Sequence, residues 1–108
     1  MGDRGEVKIE PMGIYLYTHW GAADLPNIVK TALLKGQERW NDPPYLARVI
    51  FQEMVGDDES ITGYGIQIDH QEDVWRLITV NTDKQTVTIQ DNDKKPKTKI
   101  FRKYVSLE

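Results

Sequence analysis

An α+β domain, with two helices packed on one face of a mainly antiparallel sheet of four to five strands, is the architecture this sequence predicts. Three observations lead there. Apolar residues recur at helical spacing over residues 24–40 and again over 43–55. Alternation marks the runs GIYLYTHW, GYGIQID (Tyr64, Ile66 and Ile68), VWRLITVN and QTVTIQD as strands. The order of elements, a strand, two helices and then strands on short polar links, suits a meander with both helices on one side.

At the N-terminus, residues 6–10 (EVKIE) stop at Pro11 and read as a short strand, or as part of an arm over residues 1–12. A single domain is then expected over 13–106. Gly13 and Gly21 bound the next strand, whose alternation puts Ile14, Leu16 and Thr18 on one face and Tyr15, Tyr17 and His19 on the other. For the first helix, Asp24 is the expected N-cap and Pro26 lies in the first turn, where its missing N–H costs little. Leu25, Ile28, Val29, Ala32, Leu33 and Gly36 form its apolar stripe, which Trp40 extends. Glycine costs roughly 1 kcal/mol against alanine inside a helix, so the chain should fray or pack closely at Gly36. Asp42 is the expected cap of the second helix, with Pro43 at its first position and Gly56 ending it. Apolar residues surround most of its circumference, which predicts a central buried helix. The runs VWRLITVN and QTVTIQD form a hairpin through Thr82, Asp83 and Lys84, and KTKIFRKYVS adds an edge strand. Leu107 and Glu108 read as a cloning remnant.

Composition narrows the function. A length of 108 residues is one ordinary domain. With a mean hydropathy of −0.58, no apolar run long enough to span a membrane and no signal-like apolar run at the start, a soluble cytoplasmic protein is expected. Without cysteine there is neither a disulfide framework nor a thiolate nucleophile. The net charge of −3 conceals an asymmetry. Residues 94–103 carry six positive charges and no negative one, while the rest holds 8 Lys/Arg against 17 Asp/Glu. A nucleic-acid arm fits such a segment. Lysines guarding an edge strand fit it better, because the acidic remainder repels phosphate.

Catalytic signatures are sparse. The only serines are Ser60 and Ser106, neither in a Gly-x-Ser-x-Gly turn, and no Walker loop, GxGxxG or HExxH is present. A zinc site would need both histidines, His19 and His70, some fifty residues apart, together with carboxylates brought to them by the fold, so no metal and no cofactor is expected. Asp57, Asp58 and Glu59 read as a solvated acidic loop.

Two local features stand out. In Tyr15-x-Tyr17-x-His19-Trp20-Gly21, polar aromatics line one strand face and run toward the N-terminus of the first helix, a natural anion site. His19 there can donate a hydrogen bond or act as acid–base. The plainer reading has the aromatics cover a sheet face while Trp20 plugs the core. In Trp40-Asn41-Asp42-Pro43-Pro44-Tyr45-Leu46-Ala47-Arg48, Tyr45 and Arg48 form a polar patch, or Trp40 and Tyr45 simply pack across a turn. Were the Tyr45/Arg48/Gln52 strip to meet the Tyr17/His19 face, a polar cleft would result, with Glu53 or Asp69 orienting His19.

The strings YLYTHWG and WNDPPYLARVIF, with the glycine-aromatic-glycine of Gly63-Tyr64-Gly65, resemble a family of small uncharacterised bacterial and phage-type proteins. The resemblance covers residues 13–90 and implies one compact module, with no activity, cofactor or catalytic residue to carry over. The expectation is therefore a non-enzymatic module that binds a protein partner through Tyr15, Tyr17, His19 and Trp20, or through Trp40, Tyr45 and Arg48. Two alternatives stand beside it: a small enzyme using His19 with Arg48, and nucleic-acid binding through residues 94–103.

Overall fold

Val7 and Ile9 alternate with Glu6, Lys8 and Glu10, and this amphipathic run is β1 (Gly5–Glu10), an interior strand of the sheet. The computed structural model describes residues 3–106. Its further elements are β2 (Ile14–Thr18), α1 (Leu25–Lys35), α2 (Pro43–Val55), β3 (Tyr64–Gln67), β4 (Arg76–Asn81), β5 (Thr86–Asp91), β6 (Lys97–Ile100) and α3 (Phe101–Ser106). Short 3-10 turns occupy Ala22–Asp24 and Gln37–Arg39.

The sheet has six strands in the order β3-β2-β1-β4-β5-β6. All neighbours are antiparallel except β1 and β4, which run parallel. The expected class, helices on a mainly antiparallel sheet, holds. Among the described residues the count is corrected to six strands and three α-helices, and of the two readings of residues 6–10 the short strand is the one present, as β1.

Register separates the two faces. Val7 pairs with Leu16 and Ile78, and Ile9 with Ile14 and Val80. These side chains meet Leu25, Val29, Leu33, Leu46 and Ile50 from α1 and α2 in one core. On the other face Glu6 lies opposite Tyr17, and Lys8 opposite Tyr15. Gly5 is needed where β1 passes the first turn, because a Cβ there would fall 2.8 Å from Ala22 Cβ.

Four local expectations are corrected. Regular helix α1 ends at Lys35 rather than Trp40. Gly36 leaves the helical range with φ −102° and ψ 28°, and it packs closely at the α1/α2 crossing, where a Cβ would lie 3.3 Å from Leu46 Cδ1. Neither Asp24 nor Asp42 makes a side-chain cap bond. Asp24 accepts from Asn27 Nδ2 at 3.4 Å, and Asp42 pairs with Arg39 at 3.4 Å. Helix α2 is not buried all round: Leu46, Ala47, Ile50 and Met54 face the core while Tyr45, Arg48 and Gln52 are exposed. Finally, KTKIFRKYVS is divided between β6 and α3, because Phe101 and Tyr104, one helical turn apart, both enter the core. The expected remnant, Leu107 and Glu108, lies outside the described residues.

Tyr104 fastens α3 to α1, its hydroxyl donating to the Pro26 carbonyl at 2.7 Å. Burial pushes this phenol up to about 12 from its ordinary 10.0, with nearby Arg76 opposing weakly. A folded-state value above the unfolded one means that the stabilisation is complete below about pH 10. It is then lost as pH rises through about 12. Urea titrations across this range should show wild type losing about 2–3 kcal/mol more than Tyr104→Phe. Parallel pH profiles for the two chains would contradict the assignment.

Candidate functional site

Alternation along β2 turns Tyr15 and Tyr17 away from the helices, since their neighbour Leu16 is in the core. Tyr17 and His19 share a hydrogen bond between the phenol oxygen and Nδ1 at 3.0 Å. Burial raises the Tyr17 phenol above its ordinary 10.0. His19 is fixed further by its backbone N–H, which donates to Gly63 at 2.8 Å. Its ring meets Trp20 edge-on at 5.6 Å, and Trp20 meets Tyr64 edge-on at 6.2 Å. The four aromatics thus form a row leading from the sheet face to strand β3. Trp20 is 51% exposed and does not plug the core. It lies over Gly63, whose φ of +97° and missing Cβ admit the ring: a Cβ would fall 2.0 Å from Trp20 Cζ3.

The other predicted residues lie elsewhere. Trp40 is structural, donating from Nε1 to the Leu33 carbonyl at 2.9 Å and packing against Phe101 at 5.2 Å. Tyr45 is exposed at the start of α2 and carries the Arg39 guanidinium over its ring at 4.4 Å. Arg48 hydrogen-bonds Gln52 on the same helix. Helix α2 covers the Leu16 side of β2 and Tyr17 lies on the other, so the sheet separates Arg48 from Tyr17 and no cleft joins the two sets. Glu53 pairs with Lys35 at 2.9 Å instead of orienting His19. Among the described residues no cluster of three or more His, Asp or Glu is placed to hold a metal ion.

A carboxylate–histidine pair does exist, but between residues that sequence reasoning did not join. Glu6 is fully buried on the sheet face opposite the helices. It accepts from Gln67 Nε2 at 2.9 Å and from the Gln71 backbone N–H at 3.1 Å, and it contacts His70 Nδ1 at 2.7 Å. The His70 ring lies 5.8 Å from Tyr15. Further along, the Trp75 indole donates to Asp3 at 2.6 Å, and Asp73 pairs with Arg4. The segment 68–75 is thereby strapped over β1, and the straps satisfy a buried carboxyl group that would otherwise be costly.

These straps also hold β3 at the margin of the sheet. Strand β3 reads Tyr-Gly-Ile-Gln, and only β2 pairs with it. The opposite margin, β6, carries Lys97 and Lys99, the type of charge that discourages edge-to-edge pairing. Strand β3 carries none: residues 60–68 are uncharged throughout. Of eight exposed large apolar side chains among the described residues, five cluster in or beside this strand and the β1–β2 turn: Met12, Trp20, Ile61, Ile66 and Ile68. Ile66 is 60% exposed and Ile68 77%. Between β3 and α2 runs a groove of about 220 Å³, walled mainly by the apolar side chains of Met12, Ile14, Leu16, Pro44, Ala47, Phe51 and Ile66, with Arg48 also contributing to its lining. Larger depressions occur by the α1–α2 turn and beside α3, and their walls expose more polar surface than this groove does. No helix among the described residues is long and apolar enough to cross a membrane. No family model, curated protein or solved structure matches the chain.

Proposed function

We propose that this protein is a non-enzymatic interaction module that receives an extended segment of a partner protein along β3. The observation that carries the reading is the asymmetry of the two sheet margins: β6 is guarded by lysines, whereas β3 is uncharged, apolar and flanked by an apolar groove. Strand addition suits this geometry. Main-chain hydrogen bonds to the free side of β3 supply affinity, and alternate side chains of the added strand enter the groove beside Ile66. The row Tyr17–His19–Trp20–Tyr64 ends at the same margin, which brings Trp20, one of the expected surface residues, into contact range of a partner. The alternative of His19 acting with Arg48 loses support from their placement on opposite sides of the sheet.

A fluorescent synthetic peptide of alternating Thr and Val, with serine at both ends, tests the site. Wild type should bind it and Ile66→Glu should weaken binding at least tenfold, about 1.4 kcal/mol. Because Ile66 is largely exposed, the same substitution should alter folding stability by no more than about 0.5 kcal/mol. Binding that survives Ile66→Glu would place the contact elsewhere.

A further inference from the structure

Charge is distributed unevenly about the β3 margin. Residues 49–75 contain seven acidic side chains and no Lys or Arg. Glu53 and Asp73 are paired with Lys35 and Arg4. Asp57 and Glu59 before β3, and Asp69 and Glu72 after it, are exposed. An extended segment laid along β3 therefore meets a mainly apolar middle, where Arg48 is the one charged side chain of the groove lining and is hydrogen-bonded to Gln52, with acidic chain at both ends.

We infer that the occupant of this site is a basic segment of another protein, extended, with alternating apolar side chains for the groove and Lys or Arg at its ends. The inference rests on the strand-addition reading above and adds the chemistry of the partner. Opposite charges at the ends would steer encounter and fix register, while the apolar middle would supply most of the affinity. A second copy of the chain fits less well. Two β3 margins brought together would oppose their acidic ends. A β6 margin added in the same orientation would turn Lys97 and Lys99 toward the apolar groove, because these residues pair with Ile89 and Val87 on the helix-covered face.

The test uses the full chain and three synthetic peptides that share the alternating Thr-Val core and end in lysine, serine or glutamate. Fluorescence anisotropy should rank their affinities lysine, serine, glutamate, with the lysine-ended peptide about tenfold tighter than the serine-ended one. That advantage should largely disappear between about 0.05 M and 0.5 M salt, as the screening length shortens. Ile66→Glu should weaken all three peptides although it makes the margin more acidic, and Ile68→Glu provides a second such variant. Equal affinities for the three peptides would overturn the basic-partner inference and leave the strand-addition site standing. Failure of every peptide, or binding indifferent to both variants, would overturn the site as well. Self-association in the ultracentrifuge that Ile66→Glu abolishes would make a second copy the occupant, and would also overturn the inference.

Discussion

Truncating Phe101 to alanine is expected to cost about 3–5 kcal/mol of folding stability, a large share of what a domain of this size possesses. The ring is fully buried, and it meets Trp40 edge-on at 5.2 Å. Its own backbone N–H donates to the Gln85 carbonyl at 2.7 Å. Phe101 thus joins three parts of the fold: α3, the end of the α1 layer through Trp40, and the β4–β5 turn. Removing the ring leaves a cavity that these elements cannot close independently, because Tyr104 holds α3 against Pro26. Arg102→Ala, at an exposed neighbouring position, should change stability by no more than about 0.5 kcal/mol. Chemical denaturation of the two variants separates packing from local helix effects. A loss below about 1 kcal/mol for Phe101→Ala would show that α3 is not part of the core.

Glu6→Ala should cost about 2–4 kcal/mol, since it removes the common acceptor of Gln67, Gln71 and the His70 contact in a fully buried place. Most of that cost arises because the Gln71 backbone N–H and the Gln67 amide lose their partner together. Glu6→Gln, which keeps the shape and one carbonyl oxygen, should fall between wild type and alanine. Hydrogen exchange supplies an independent reading: amides over residues 68–75 should lose protection in Glu6→Ala by more than the global change explains. If exchange there follows only global stability, the strapping role of Glu6 is wrong. Because the straps begin at the end of β3, Glu6→Ala is also expected to weaken peptide binding with Ile66 intact.

Much of this fold was legible in local pattern. Period-two alternation identified the faces of β2, β4 and β5, and helical spacing identified the stripes of α1 and α2. What escaped depended on residues far apart in the chain. Strand β1 shows ordinary alternation, yet its interior position follows from parallel pairing with β4 some seventy residues later. Glu6 looks in the sequence like Lys8 and Glu10, on the same face. Only the return of residues 67–71 makes it buried while they remain half exposed. Likewise Arg48 and His19 had suitable chemistry, and only the sheet between them rules out a shared cleft. Trp40 could be read as surface or as packing until Phe101 arrived beside it. The β3 margin did leave a trace: residues 60–68 form an uncharged run between Glu59 and Asp69. Without the strand order, nothing distinguished that run from an interior strand.

The most direct measurement is an amide-by-amide NMR titration of the full chain with the lysine-ended Thr-Val peptide. Strand addition at β3 predicts shift changes and new exchange protection concentrated over residues 63–69, with side-chain changes at Met12, Trp20 and Ile66 and little response from Thr79, Thr88 or Thr98. Changes spread across Lys8, Tyr15, Thr79 and Thr88 instead, with residues 63–69 unaffected, would move the contact to the open sheet face and contradict the account.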